Sequence, residues 1–355
     1  MTAGTVETTR GHPDVPPTRS AFGALRHRRL LVVVALFALL VLAALASLAV
    51  GAKPLPIDGV WDAIFSPTGT EDDIVVRSLR IPRTVLGIIV GLALGVAGAL
   101  MQGHTRNPLA EPGLLGVNAG AAFLVVVGIY GLGVTSPLGY VWFAFAGAFG
   151  ASVLVFALGS AGRGGPTPVT LALAGIAVTY LLSALTSALV LSDTQTLDAY
   201  RFWAVGALAG RDAAIAGQIA PFVVVGLLLA AANAPGLNLL ALGEDVARGL
   251  GQHVQLTRWT GLIAITLLAG AATAACGPIS FLGLVVPHVA RYFTGPDHLW
   301  LLPASGLAGG VALLAADVIG RAVVRPGELQ VGIVLALVGA PFFVALVRRT
   351  KLAQL

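Results

Sequence analysis

Charge is what this chain has least of. Only 10% of its 355 residues are Asp, Glu, Lys or Arg, while 57% are hydrophobic. Soluble domains carry about 25% charged residues, so most of this surface must face lipid, and a soluble globule is excluded. Lysine is scarcer still: of 21 basic residues 19 are arginine, leaving Lys53 and Lys351. No G-x-x-x-x-G-K-[ST] occurs and neither lysine sits beside a glycine-rich turn, which excludes ATP binding through a P-loop. The one cysteine, Cys276, rules out an internal disulfide and a multi-cysteine metal site. In its apolar run beside Gly277-Pro278 it reads as a small packing residue. H-E-x-x-H, G-x-S-x-G and paired intramembrane carboxylates are missing, and His104 and His288 stand isolated, as structural histidines do. The chain is therefore expected to catalyse nothing and to hold no metal or cofactor.

What is present is a series of apolar stretches near 30–50, 84–103, 114–131, 139–159, 169–191, 214–232, 257–275, 299–319 and 328–347, most of them close to the ~20 residues a spanning helix needs. A tenth, 279–293, is short and carries Pro287 and His288. Residues 1–29, with five arginines and little apolar content, read as a disordered cytoplasmic tail, not as a cleaved signal peptide. That tail and the basic end Arg348-Arg349-Thr350-Lys351 both favour the cytoplasm, which requires an even number of spans. The expected fold is all-α: one polytopic transmembrane domain over 30–350 with about ten transmembrane helices, both termini cytoplasmic, and a short tail at 351–355. Thirteen Lys and Arg then lie inside and eight outside. Among the exceptions are Arg80 and Arg83 at the outer mouth of span 2, and Arg321 and Arg325 between spans 9 and 10. They either bind something outside, or snorkel to headgroups and pair with Glu71, Asp72 and Asp73.

Two segments carry further expectations. The glycines at 87, 91, 95 and 98 form a ladder along span 2, against which another helix can pack backbone to backbone. The interior loop 233–256 holds an apolar stripe, Leu242, Val246 and Leu250, spaced i, i+4 and i+8 beside Glu244, Asp245 and Arg248. Such a stripe buries itself either in the lipid interface or in a groove on a cytosolic partner. Asp317 and Arg321 are spaced to pair on one helix face, and Glu111 suits a helix amino terminus. Ionisable residues at mid-membrane, usual in ion-driven carriers, are few.

The motifs R-I-P-R-T at 80–84, G-x-T-R-N-P-L-A-E-P-G-L-L-G at 103–116 and L-A-L-A-G-I at 171–176 resemble the FecCD-like permeases of cobalamin, haem and iron-siderophore ABC importers. L-A-L-G-E-D-V-A-R-G-L-G at 240–251, G-P-I-S-F-L-G-L-V-V-P-H at 277–288 and G-E-L-Q-V-G at 327–332 continue the resemblance in order. Gln330 departs from the proline more usual there. The resemblance implies a subunit of the bacterial cytoplasmic membrane that pairs with a second permease, sits on two cytosolic ATP-binding subunits and receives an extracytoplasmic substrate-binding protein. It implies docking roles for Arg80, Arg83 and either Arg321 or Arg325, and ATPase coupling by Leu242, Glu244, Asp245, Val246, Arg248 and Leu250. It implies a gate at Thr167 and a path along span 5, where Thr179, Ser183, Thr186 and Ser187 recur at helical spacing. Those hydroxyls suit interhelical hydrogen bonds equally well. The function implied is inward transport of iron chelates, ferric siderophores foremost, with haem or cobalamin as the rival cargo. An ion-coupled secondary carrier is the alternative from another class.

Overall fold

The computed structural model describes residues 19–51, 55–134, 136–161, 167–324 and 327–349, and among them every regular element is helical. In chain order these are α1 (Arg19–Ala49), α2 (Ile57–Phe65), α3 (Glu71–Ile74), a π-helical stretch (Val75–Arg80), α4 (Ile81–Thr105), a 3-10 turn (Pro112–Leu115), α5 (Val117–Leu132), α6 (Pro137–Ser160), α7 (Pro168–Ser192), α8 (Thr194–Ala204), α9 (Ala213–Leu240), α10 (Glu244–Gly249), α11 (Val254–Cys276), α12 (Leu282–Thr294), α13 (His298–Val323) and α14 (Val331–Arg349). Seven helical stretches are long and apolar enough to cross a bilayer, within α1, α3–α4, α6, α7, α9, α11 and α13. The shorter apolar helices α5 and α14 accompany them. Each of the ten apolar stretches read from the sequence falls on a helix. α12, at 13 residues, is only about 20 Å long and follows an extended approach from Gly277.

The long helices begin where the sequence supplies caps. Thr167 accepts the Thr170 amide in a capping box ahead of Pro168, Ser136 accepts from Gly139 ahead of Pro137, and Asp212 and Asp297 accept from Ala214 and Leu299. α4 ends at Arg106, which takes a left-handed φ of 49°.

α4 is the central post, and the glycine ladder is the reason. A methyl group on Gly91 would sit 2.6 Å from the Gly309 carbonyl of α13; on Gly95 and Gly98 it would run into the backbones of Ser305 and of Gly283 in α12. Only hydrogen lets these backbones close, as the spacing predicts. Of the most apolar 18 residues, 78% are buried in the α3–α4 stretch, against 17% in α7 and 11% in α1. α1 and α7 thus stand at the periphery, and α7 leaves Leu173, Tyr180, Leu181 and Leu191 uncovered.

Three boundaries differ from the sequence reading. The tail expected over 1–29 is helical from Arg19, because beyond Pro16-Pro17 only Gly23 interrupts good helix formers; residues 1–18 lie outside the described part. The loop expected at 233–256 begins later, since α9 continues through Pro235 to Leu240. Side-chain hydrogen bonds from Asn233 and Asn238 hold that extension in place. α8 fills what reads as a plain connection. Its cap is Asp193, which accepts from the Thr196 hydroxyl and amide; those bonds hold its carboxyl below the usual range.

Candidate functional site

Four arginines gather at the end of the bundle where α1 stops. Arg77 and Arg80 lie on the π-helical stretch and Arg83 just after it, a local widening that changes the phase of the helix face, while Arg321 comes from α13. Arg77 donates to the Ala63 and Ile64 carbonyls at 2.9 and 3.0 Å, closing the carboxyl end of α2. Arg80 donates to the Leu48 and Ala49 carbonyls at 2.6 and 2.9 Å. Arg321 donates to the Ser47 and Val50 carbonyls at 3.0 and 2.7 Å and to Ser47 Oγ at 2.9 Å. The last turn of α1 leaves carbonyls without amide partners and carries the negative end of the helix dipole. Two guanidiniums satisfy both needs, and they are only 4% and 2% exposed.

Arg83 lies beside them, bound through Nη2 to Asp317 Oδ1 and through Nη1 to Glu328 Oε2, each at 2.7 Å. Asp317 also holds Arg321 at 2.9 Å, the i, i+4 pair expected on α13. Of the acids weighed as partners in the sequence, Asp73 instead accepts the amides of Thr68, Gly69 and Thr70. Arg325 lies outside the described residues. Above the cluster opens a cavity of about 690 Å³ whose lining includes Arg80, Arg83, Arg211, Arg321, Asp212 and Glu328. Four cations and two acids line it, and Asp317 lies behind Arg83 and Arg321, so the wall keeps a small excess of positive charge. The cavity joins residues from six separate stretches that the topology places on one face.

The opposite end carries α10. Gly243, at a φ of 112°, turns the chain out of α9, and Leu242, Val246 and Leu250 stand 61%, 50% and 61% exposed. Ala247 is buried beneath them. Glu244 pairs with Arg258 of α11 and with Arg248, whereas the Asp245 side chain is wholly exposed. The stripe read from the sequence is therefore presented outward on a short, anchored helix.

On α7, Thr167 is the exposed amino-terminal cap, and the adjoining residues 162–166 lie outside the described part. Thr179 is half-buried and Ser183 and Ser187 are exposed. Thr186 is buried, and its hydroxyl donates within the helix to the Leu182 carbonyl at 2.7 Å. The two isolated histidines are both engaged: His104 with Asn233 Oδ1 at 3.0 Å, His288 with the Pro108 carbonyl at 2.7 Å. Glu111 accepts the Phe281 amide at 3.4 Å, at the amino terminus of α12. Sequence reasoning missed Glu328, Arg211, Asn233 and Asn238. Of these only Glu328 had a signal, its place in the G-E-L-Q-V-G motif.

Comparison with known proteins fits this arrangement. The FecCD transport family matches residues 39–349. The ferric enterobactin transport system permease protein FepD of Escherichia coli is 46% identical over 92% of this chain and 98% of its own. The Fe(3+)-citrate import system permease protein YfmD of Bacillus subtilis is 41% identical over 86% and 90%. A solved inward-facing structure of a metal-chelate type ABC transporter superposes with a TM-score of 0.78 at 29% identity, covering 90% of this chain and 99% of that one. With helices, motifs and full-length similarity in agreement, this chain belongs to the FecCD transport family.

Proposed function

We propose that this chain is the membrane permease of an ATP-driven importer of iron chelates, ferric siderophores foremost, in a bacterial cytoplasmic membrane. The observation that carries the reading is end-to-end similarity, 46% identical, to a ferric enterobactin permease. ATP is hydrolysed by separate subunits, in keeping with a chain that has no P-loop. Ten spans with both termini cytoplasmic place α10 inside and the arginine cavity outside. The outward stripe of α10 fits an ATPase groove, and the uncovered face of α7 fits a second permease across a shared path. Ser183 and Ser187 offer that path hydroxyls without fixed charge, which suits a bulky chelate that must not be held tightly.

At the outer face an acidic lobe of a binding protein would meet the basic cavity wall. Arg80 and Arg321 spend their donors on α1 and Asp317, so their share in docking is to fix the wall. Arg83 is the one positioned to exchange its more exposed acid, Glu328, for a carboxylate of the docked protein.

The test is uptake of a labelled ferric siderophore by vesicles holding the permease, its ATPase and the binding protein. Uptake is expected to require ATP and to survive an ionophore. Collapse with the ion gradient and indifference to ATP would establish a secondary carrier instead, and uptake of haem or cobalamin in place of the ferric chelate would reassign the cargo. Arg80→Glu with Arg83→Glu is expected to lower uptake most at low binding-protein concentration; full uptake there would remove the docking role.

A further inference from the structure

Beyond its apolar stripe, α10 is tied to the rest of the bundle in a way that suggests how its movement is passed on. α9 has 28 residues, about 42 Å of helix against about 30 Å of hydrocarbon, so its last turns stand clear of the membrane and lead directly into α10. Pro235 sits in this extension and removes one backbone hydrogen bond, a soft point at which a helix bends. An asparagine stands on each side of it.

Asn233, 3% exposed, donates through Nδ2 to the Thr257 carbonyl at 2.7 Å and to Thr260 Oγ1 at 2.6 Å, both on α11. Its Oδ1 faces His104 Nε2 of α4 at 3.0 Å, which must therefore carry the proton. Asn238 donates to Asp297 Oδ1 at 2.7 Å, and its Oδ1 accepts from the backbone amide and Nδ1 of His298, each at 2.9 Å, at the start of α13. Asp297 is itself the cap of α13 and binds Arg29 of α1 at 3.1 Å. The two asparagines lie about 140° apart around α9, so they grip it from different sides. Gln252, just after α10, reaches Thr257 Oγ1 at 2.6 Å and closes the same network from the far end.

We propose that Asn233 and Asn238 are positioning residues that make α9 a stiff lever, passing displacement of α10 to α4, α11, α13 and α1. An amide donates from one atom and accepts at another, which each position uses. A carboxylate at 238 would instead face Asp297 with like charge. The proposal rests on the reading of α10 as the ATPase contact.

The experiment uses the reconstituted complex with its ATPase and binding protein, measuring ATP hydrolysis and chelate uptake together. Asn233→Leu with Asn238→Leu keeps the branching and heavy-atom count of each side chain and removes every side-chain hydrogen bond. The ATPase subunit is expected to co-purify as in the parent and to hydrolyse ATP, while uptake per ATP falls at least about tenfold, the scale of losing a single net hydrogen bond. Asn238→Asp is expected to show the same split. Parent-like uptake per ATP in these variants overturns the proposal, even with a lowered melting temperature. Val246→Asp with Leu250→Asp tests the underlying reading separately: it is expected to lose the ATPase subunit, and retained co-purification sinks that reading by itself. Should the leucine variant not assemble, hydrogen exchange on the unmodified complex decides. Nucleotide trapping is expected to change amide protection at the starts of α11 and α13 together with α10, and a change confined to α10 counts against the lever.

Discussion

Asp317→Asn is the sharpest test of the arginine cluster. Asp317 is 1% exposed and its two oxygens face both Arg83 and Arg321. Amidation leaves two guanidiniums with one acid between them, and that acid, Glu328, has a side chain 31% exposed. Breaking a buried pair from one side costs about 3–5 kcal/mol, because the remaining charge stays out of water. The same change at Glu328 breaks a wetter pair and costs about 0–1 kcal/mol. With roughly 2.1 cal/mol/K of unfolding entropy per residue, the first shift amounts to about 4–7 °C in melting temperature and the second to about 1 °C or less. Thermal unfolding of the purified permease in detergent, followed by tryptophan fluorescence, reads both. Adding Arg83→Gln to Asp317→Asn is expected to recover part of the loss, since it removes the uncompensated cation. Equal shifts for Asp317→Asn and Glu328→Gln would refute the argument that burial sets the energy here.

Gly95→Leu is expected to abolish folded permease, because its side chain meets the Ser305 backbone, while Gly217→Ala, with open space around it, leaves the yield unchanged; gel filtration of the detergent extract separates the two. Asp193 has a folded pKa below its unfolded one, so the stability its cap contributes is present above the unfolded value and lost as pH falls through the folded one. Amide protection in α8, taken relative to the intrinsic exchange rate at each pH, should therefore fall at acid pH in the parent, and Asp193→Asn should flatten that dependence. Cys276 is fully buried, so a membrane-permeant maleimide is expected to label it only after denaturation.

The helices were legible because hydrophobic run length is a property of the chain alone. The glycine ladder was legible for a similar reason, since small residues at helical spacing have few other uses. The stripe of α10 also survives intact, since Leu242, Val246 and Leu250 recur at helical spacing beside the charged Glu244, Asp245 and Arg248. The arginines were legible as exceptions to charge bias, but not in their contacts. Arg80 and Arg321 bind main-chain carbonyls of α1, and a backbone acceptor leaves no mark in residue identity. The direction of Arg80 depends on the π-helical stretch, whose extra residue per turn changes which face Arg80 and Arg83 share. The extension of α9 was hidden by Asn-Ala-Pro-Gly, which reads as a helix end until distant partners for both asparagines are known. α8 was hidden by its length, too short and too polar to register beside spanning helices.

The brace at the end of α1 also bears on the order in which the protein is built. α1 leaves the ribosome before α13, yet the donor that holds its Ser47 carbonyl belongs to Arg321, 274 positions later. At about 5–20 residues per second, roughly 14–55 s separate the two. Within that interval Arg80 and Thr84 can engage the closing turn, while the Ser47 and Val50 carbonyls wait for Arg321. The final seat of α1 is taken only when α13 arrives, so a helix made early is secured by one made late.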